Sequence, residues 1–163
     1  MIFDVKLNLR RKSRLVIGSH LVNSSEHEVY ASTMKSVSSR IMMTITAADN
    51  LEVMMGDIVN AYLNTNTQER ISNRAGSKFE LVSIMAEGNL LELIKALYSL
   101  PTSGNRWYAY LSLNLGGMGF RPTRFDPYVW IRGCEVGYDY IGTHTDDVLV
   151  LAVNPTSIFN KLK

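Results

Sequence analysis

Apolar and polar residues alternate with two different periods along this chain, and the two periods divide it into strand-like and helix-like stretches. Ile2-Phe3-Asp4-Val5-Lys6-Leu7-Asn8-Leu9 alternates with a period of two and reads as a strand. Residues 10–13 predict a basic turn and Arg14-Leu15-Val16-Ile17 a second strand ended by Gly18, together a β-hairpin with a basic tip. Residues 23–28 are polar and loop-like. From Ser36 onward, Val37, Ile41, Ile45 and Ala48 recur at intervals of four, four and three, which predicts an amphipathic helix with these residues in the core and Asn50 as its stop.

Residues 51–58 read as a strand in which Val53, Met55 and Asp57 share one face. Residues 65–89 predict loop and hairpin, and residues 90–100 a short strand or an extended approach to a helix. Ser103 is placed to cap a helix over about residues 104–115, with Trp107, Leu111 and Leu115 buried and Gly116-Gly117 ending it. Asp126-Pro127 predicts a turn and residues 128–132 a strand. That strand leads to the most regular pattern in the chain, residues 138–153, which read as strand, tight turn and strand. Its second arm, Val148-Leu149-Val150-Leu151-Ala152-Val153, is almost wholly β-branched or aliphatic, as a buried strand is.

Two adjacent aspartates, Asp146 and Asp147, sit where this hairpin reverses. Carboxylates at the rim of an apolar sheet are costly unless a cation or hydrogen-bond donors compensate them. An Asp-rich turn alone is commonplace, but a third carboxylate, Asp57, also ends an apolar strand. That recurrence makes a shared cation site worth considering. Tyr62 lies five residues past Asp57 and reads on its own as a core aromatic.

Composition narrows the picture only in part. With 163 residues, 46% hydrophobic and 20% charged, the chain is long enough for one globular domain with a core. The net charge of +2 gives no global field for nucleic acid, yet Arg10, Arg11, Lys12 and Arg14 cluster near the start. Such a cluster is either a solvated loop or a grip on phosphate. The single cysteine, Cys134, permits no internal disulfide and fits a reducing, intracellular compartment. No apolar run reaches transmembrane length, and Asp4 and Lys6 interrupt any signal-peptide core, so no membrane partner is expected. The eight methionines fall in helix and strand patterns, where they fill core.

Several phrases carry a resemblance to a known family. Asp57-Ile58-x-x-Ala61-Tyr62 resembles the first catalytic motif of reverse transcriptases, and Thr145-Asp146-Asp147 the end of their Tyr-x-Asp-Asp turn. Phe3-Asp4-Val5-Lys6, Arg11-Lys12-Ser13-Arg14-Leu15-Val16, Ile58-Val59-Asn60-Ala61-Tyr62-Leu63-Asn64, Ala96-Leu97-Tyr98-Ser99-Leu100, Arg106-Trp107 and Phe125-Asp126-Pro127-Tyr128-Val129-Trp130 resemble copia-type retrotransposon polyproteins. They occur in the family's order over nearly the whole chain.

The resemblance implies an α+β fold of fingers and palm subdomains, with an antiparallel palm sheet backed by helices. It implies a single partial reverse transcriptase domain over residues 1–163, with 1–50 mainly fingers and 51–163 mainly palm with some fingers segments, and with thumb and RNase H regions belonging to a longer polyprotein. The implied reaction is RNA-directed DNA synthesis, a two-metal nucleotidyl transfer to a primer 3′-hydroxyl. The implied partners are an RNA or DNA template with its primer and deoxynucleoside triphosphates, and the implied cofactor is a pair of Mg²⁺ ions. By the same resemblance Asp57, Asp146 and Asp147 are catalytic. They bind metal together with the Ile58 carbonyl, Tyr62 excludes a 2′-hydroxyl, and Lys12 and Arg14 hold the triphosphate.

The chain also departs from that family. His144 and Thr145 stand where the turn usually has tyrosine and an aliphatic residue. Ser99, Leu100, Pro101 and Thr102 replace a stretch that usually begins glycine, leucine, lysine, and Pro101 removes a backbone donor there. These departures leave a second reading, an inactive remnant that keeps the fold and binds nucleic acid weakly. A third reading, a metal-dependent phosphatase or nuclease, would spread its ligands over several loops without an aromatic five residues past Asp57.

Overall fold

The aliphatic arm of the hairpin becomes an interior strand of a five-stranded antiparallel sheet. In the computed structural model, described here for residues 2–5, 9, 11–14, 32–67, 70–74, 88–98 and 100–162, this sheet runs in the order β3-β9-β8-β7-β6. Its strands are β3 (Glu52–Asp57), β6 (Arg121–Pro122), β7 (Val129–Cys134), β8 (Gly137–His144) and β9 (Asp147–Ala152). Strands β7, β8 and β9 form a meander of tight hairpins, and β3 pairs antiparallel with β9 along its outer side. Val148, Val150 and Leu151 are fully buried, as an interior aliphatic strand requires.

The sheet belongs to one of two compact units, made of Ala31–Ala61 and Trp107–Lys163. Helix α1 (Ser36–Ala48) packs on the face that carries Val129 and Leu151, with Met42 as its buried contact and Met34, Tyr140 and Leu149 around it. Gly142 makes that approach possible, since a β-carbon there would meet Met34 Sδ at 2.5 Å and Met42 Sδ at 3.2 Å. The opposite face carries Trp130, whose ring lies 6.2 Å from that of Tyr108 on α2 (Ser103–Gly117). On that same face α3 (Pro155–Phe159), absent from the sequence reading, sets the Phe159 ring against Gly56 of β3. Asn154 caps α3 by accepting from the Ser157 amide at 3.1 Å, and Pro155 occupies its first turn.

The bounds of α1 match the periodic pattern, but the buried stripe does not. Ser38 and Met42 are buried, whereas Val37 and Ile41 are 54% and 47% exposed. The helix is rotated because its N-terminus is fixed from outside. Asp126 Oδ2 accepts the Lys35 amide at 2.8 Å and the Ser38 hydroxyl at 2.6 Å, which turns Ser38 inward. In α2 the expected stripe is correct, with Trp107, Leu111 and Leu115 at 3% exposure or less. Ser103, expected as a cap, is instead a buried helical residue whose hydroxyl donates to the Leu97 carbonyl at 2.6 Å. The helix runs through Gly116 and Gly117, and the left-handed residue after it is Gly119, with φ 86°.

The second unit comprises Met1–Tyr30 and Tyr62–Arg106. It contains the hairpin of β1 (Ile2–Val5) and β2 (Arg11–Arg14) and the pair β4 (Ser72–Arg74) with β5 (Leu90–Glu92). Ile71, Leu97 and Leu100 form its buried cluster, with Leu93 against them. A hairpin forms as expected, but Arg11, Lys12 and Arg14 are not at its tip, and Arg10 lies outside the described residues. Register pairs Ile2 with Arg14 and Val5 with Arg11, so Arg11, Lys12 and Arg14 lie in the second strand itself. Leu15, Val16 and Ile17, expected in that strand, lie outside the described residues, as do most of 65–89. No helix among the described residues is long and apolar enough to cross a membrane.

Candidate active site at the strand turn

The three aspartates singled out in the sequence fall at one end of the five-stranded sheet. Asp57 is the last residue of β3 and Asp147 the first of β9, and the register pairs them directly. Side chains of paired residues in an antiparallel ladder project to the same face, with β-carbons about 4.5–5.5 Å apart. Val53 and Met55, four and two residues before Asp57, share that face as expected. They are exposed and not core, at 48% and 68%, because β3 is the outermost described strand and α1 covers the strands beyond it.

Asp146 stands one residue earlier, in the turn. His144 pairs with Asp147, so the turn has two residues, Thr145 and Asp146. Thr145 has φ 59°, in the left-handed region that glycine usually fills at the first position of such a turn. A β-branched residue held there stores strain of order 1–3 kcal/mol, and it persists only where the surroundings over-determine it. Two contacts do so. The Ile58 amide donates to the Asp146 carbonyl at 2.8 Å. From the α2 side, the buried Trp107 indole Nε1–H donates to the Thr145 carbonyl at 2.6 Å. Both carbonyls of the turn are therefore held from elsewhere, one by Ile58 just after β3 and one by α2.

Carboxylates directly opposite one another destabilise a strand pair, and a divalent cation between them would remove that repulsion. Among the described residues no three His, Cys, Asp or Glu side chains converge into a ready-made metal cage.

The other residues named in the sequence lie in the other unit. Lys12 and Arg14 are in β2, opposite Asp4 and Ile2. Tyr62 begins the second segment of that unit, just after the fully buried Ala61, within the short 3₁₀ turn Ala61–Asn64. Its half-buried ring lies 4.4 Å from that of Tyr98, tilted by 45°. Two of the aromatic residues quoted for the family resemblance thus form a pair. Pro101 and Thr102 lead into α2, with Thr102 buried.

Sequence reasoning missed two residues that shape this end of the unit. Trp107 was expected in the core, but its hydrogen bond to the turn was not, although a buried tryptophan usually finds a partner for its N–H. Asp126 was expected only as a turn residue. It is 1% exposed, and besides Lys35 and Ser38 it accepts the Tyr128 amide at 3.0 Å. Burial alone would raise its carboxyl, but these hydrogen bonds and the Lys35 charge outweigh it and hold it below its ordinary value.

Comparison with known proteins gives a consistent result. The profile of the family described as "Reverse transcriptase (RNA-dependent DNA polymerase)" matches residues 2–163. A "Retrovirus-related Pol polyprotein from transposon TNT 1-94" of Nicotiana tabacum is 26% identical over 151 residues, covering 91% of this chain and 11% of that protein. A "Retrovirus-related Pol polyprotein from transposon RE1" of Arabidopsis thaliana is 24% identical over 135 residues, covering 83% of this chain and 9% of its own length. The chain thus spans about a tenth of these curated relatives. No solved structure matches.

Proposed function

The chain belongs to the reverse transcriptase (RNA-dependent DNA polymerase) family, with copia-type Pol polyproteins among its relatives, and on that premise we propose that it is the nucleotidyl-transferring part of such a polyprotein. In this reading the unit with the five-stranded sheet is palm and the unit with the β1–β2 hairpin belongs to the fingers. The substrates are a primed RNA or DNA template and deoxynucleoside triphosphates. The single observation that supports this best is the pairing of Asp57 with Asp147 beside a turn in which the Asp146 carbonyl is bound by the residue following Asp57.

Asp57, Asp147 and Asp146, with the Ile58 carbonyl, would hold the two Mg²⁺ ions. Bound Mg²⁺ would supply charge stabilisation for the triphosphate and lower the pKa of the primer hydroxyl. The work left to the chain is to hold these carboxylates on one rim and to place the nucleotide. Tyr62 would sit against the incoming sugar and reject a 2′-hydroxyl, and Lys12 and Arg14 would neutralise the triphosphate. The turn residues His144 and Thr145 favour a second reading, in which the fold persists and the reaction does not. A histidine at the tyrosine position changes the surface beneath the primer end.

Addition of a single deoxynucleotide to a primed RNA template, with the chain in excess at low salt, separates the two. The polymerase reading expects slow extension that needs Mg²⁺ and disappears in Asp57→Asn. Equal background in the wild type and the variant would favour the remnant.

A further inference from the structure

We propose that Trp107 is a positioning residue: its indole N–H holds the Thr145 carbonyl and thereby fixes the turn that presents Asp146 beside Asp57 and Asp147. The proposal rests on the polymerase reading above, and it adds a role for a helix residue that touches no substrate in that reading.

The turn cannot be held by its own geometry. Its first residue is a threonine at φ 59°, which an unrestrained chain would leave for an extended or right-handed conformation. The two residues between β8 and β9 offer two carbonyls, and each accepts from a different element. Ile58, directly after β3, supplies one donor at 2.8 Å, and Trp107 on α2 supplies the other at 2.6 Å. The Trp107 ring is 3% exposed and 5.8 Å from that of Tyr110, so water does not readily replace the carbonyl as its partner.

Trp130 makes a useful contrast. Its Nε1 is buried with no hydrogen-bond partner among the described residues. Burial alone therefore does not give a tryptophan here a partner among the described residues, and the bond from the Trp107 indole to the turn is a separate feature. With Ile58 holding Asp146 and α2 holding Thr145, the peptide between them is fixed at both ends. The direction in which the Asp146 side chain leaves the turn follows from that.

The test compares the wild-type chain with Trp107→Phe, which keeps an aromatic ring and removes the donor. Amide hydrogen exchange at Ile58 reports the turn, because its N–H is bonded to Asp146, and Val150 in the buried part of β9 serves as the control. Loss of one hydrogen bond should speed Ile58 exchange by about fivefold and leave Val150 unchanged. In the same samples, the midpoint of a Mn²⁺ titration followed by broadening of the Asp146 and Asp147 amides should rise. If Trp107→Phe does not fold, benzothienylalanine at position 107 keeps the bicyclic shape and exchanges the N–H for sulfur. Unchanged Ile58 exchange would overturn the tether. Faster exchange with an unchanged Mn²⁺ midpoint would overturn the positioning role. A wild-type chain with no Mn²⁺ response at the turn would instead overturn the polymerase reading and with it the positioning of Asp146, while exchange at Ile58 still decides the tether.

Discussion

Asp57 and Asp147 face each other as register partners across β3 and β9, which puts two carboxylates on one face at the rim of an otherwise aliphatic ladder. Sheet stability does not explain such a pair, because like charges opposite one another weaken the strands they join. The cation site proposed above would relieve that repulsion. The consequences for stability and for chemistry therefore run in opposite directions.

Replacing Asp147 by asparagine should stabilise the metal-free chain by about 0.2–1 kcal/mol, the usual size of a cross-strand pair term. The same variant should lose most of any rise in Tm that Mg²⁺ gives the wild type, because a ligand stabilises only the state that binds it. Thermal melts with and without Mg²⁺ check both halves. A variant less stable than wild type without metal would mean that Asp147 has a structural role of its own.

Asp126 should matter to stability and to its pH dependence. Asp126→Ala strands the Lys35 amide, the Ser38 hydroxyl and the Tyr128 amide, and should cost about 2–3 kcal/mol in urea unfolding. Despite the upward pull of burial, the folded carboxyl lies below its ordinary value of 3.8. Its contribution is therefore complete above that value and is lost as pH falls through the lower folded pKa. The difference between wild type and variant should be constant from neutral pH down to about 5 and shrink below 3.8. A difference that instead grows in acid would contradict this sign.

Much of this architecture can be read from the chain, and the misses share a cause. Period-two alternation gives the β8–β9 hairpin and β3, and helical spacing gives the bounds of α1 and the buried stripe of α2. The rotation of α1 was not legible, because it is set by Asp126, which lies 88 residues from Ser38 in sequence. The placement of the basic cluster within β2 depends on register, which alternation does not specify. Helix α3 is only five residues long, too short to show a period. The aspartates themselves were legible because each lies at the end or the turn of an apolar strand. The indole that holds their turn was legible only as core.

Two glycines should resist substitution. A β-carbon at Gly56 would clash with Cζ of Phe159, and one at Gly142 would press on Met34 and Met42. Overpacking of this kind costs about 1–3 kcal/mol. Gly56→Ala should be the more harmful, because a ring packed under a strand yields less than two flexible thioethers. Denaturant midpoints of the two variants test the order, and equal, negligible losses would show that α3 and α1 do not pack as described.

Tyr62→Val should relax the choice of sugar if the chain polymerises in the way proposed. Competition between ribonucleotide and deoxynucleotide in single-nucleotide addition should shift toward the ribonucleotide while the fold is kept. Unchanged discrimination would assign the ring to packing, such as its pairing with Tyr98, 4.4 Å away.

The central claim is that Asp57, Asp146 and Asp147 together form a divalent-cation site, and a Mn²⁺ titration of the ¹⁵N-labelled chain tests it most directly. The expected result is selective broadening of the amides of Asp57, Ile58, Asp146 and Asp147 at low Mn²⁺, reversed by excess Mg²⁺ and greatly weakened in Asp57→Asn. Broadening centred elsewhere in the chain, or equal in the wild type and Asp57→Asn, would contradict it.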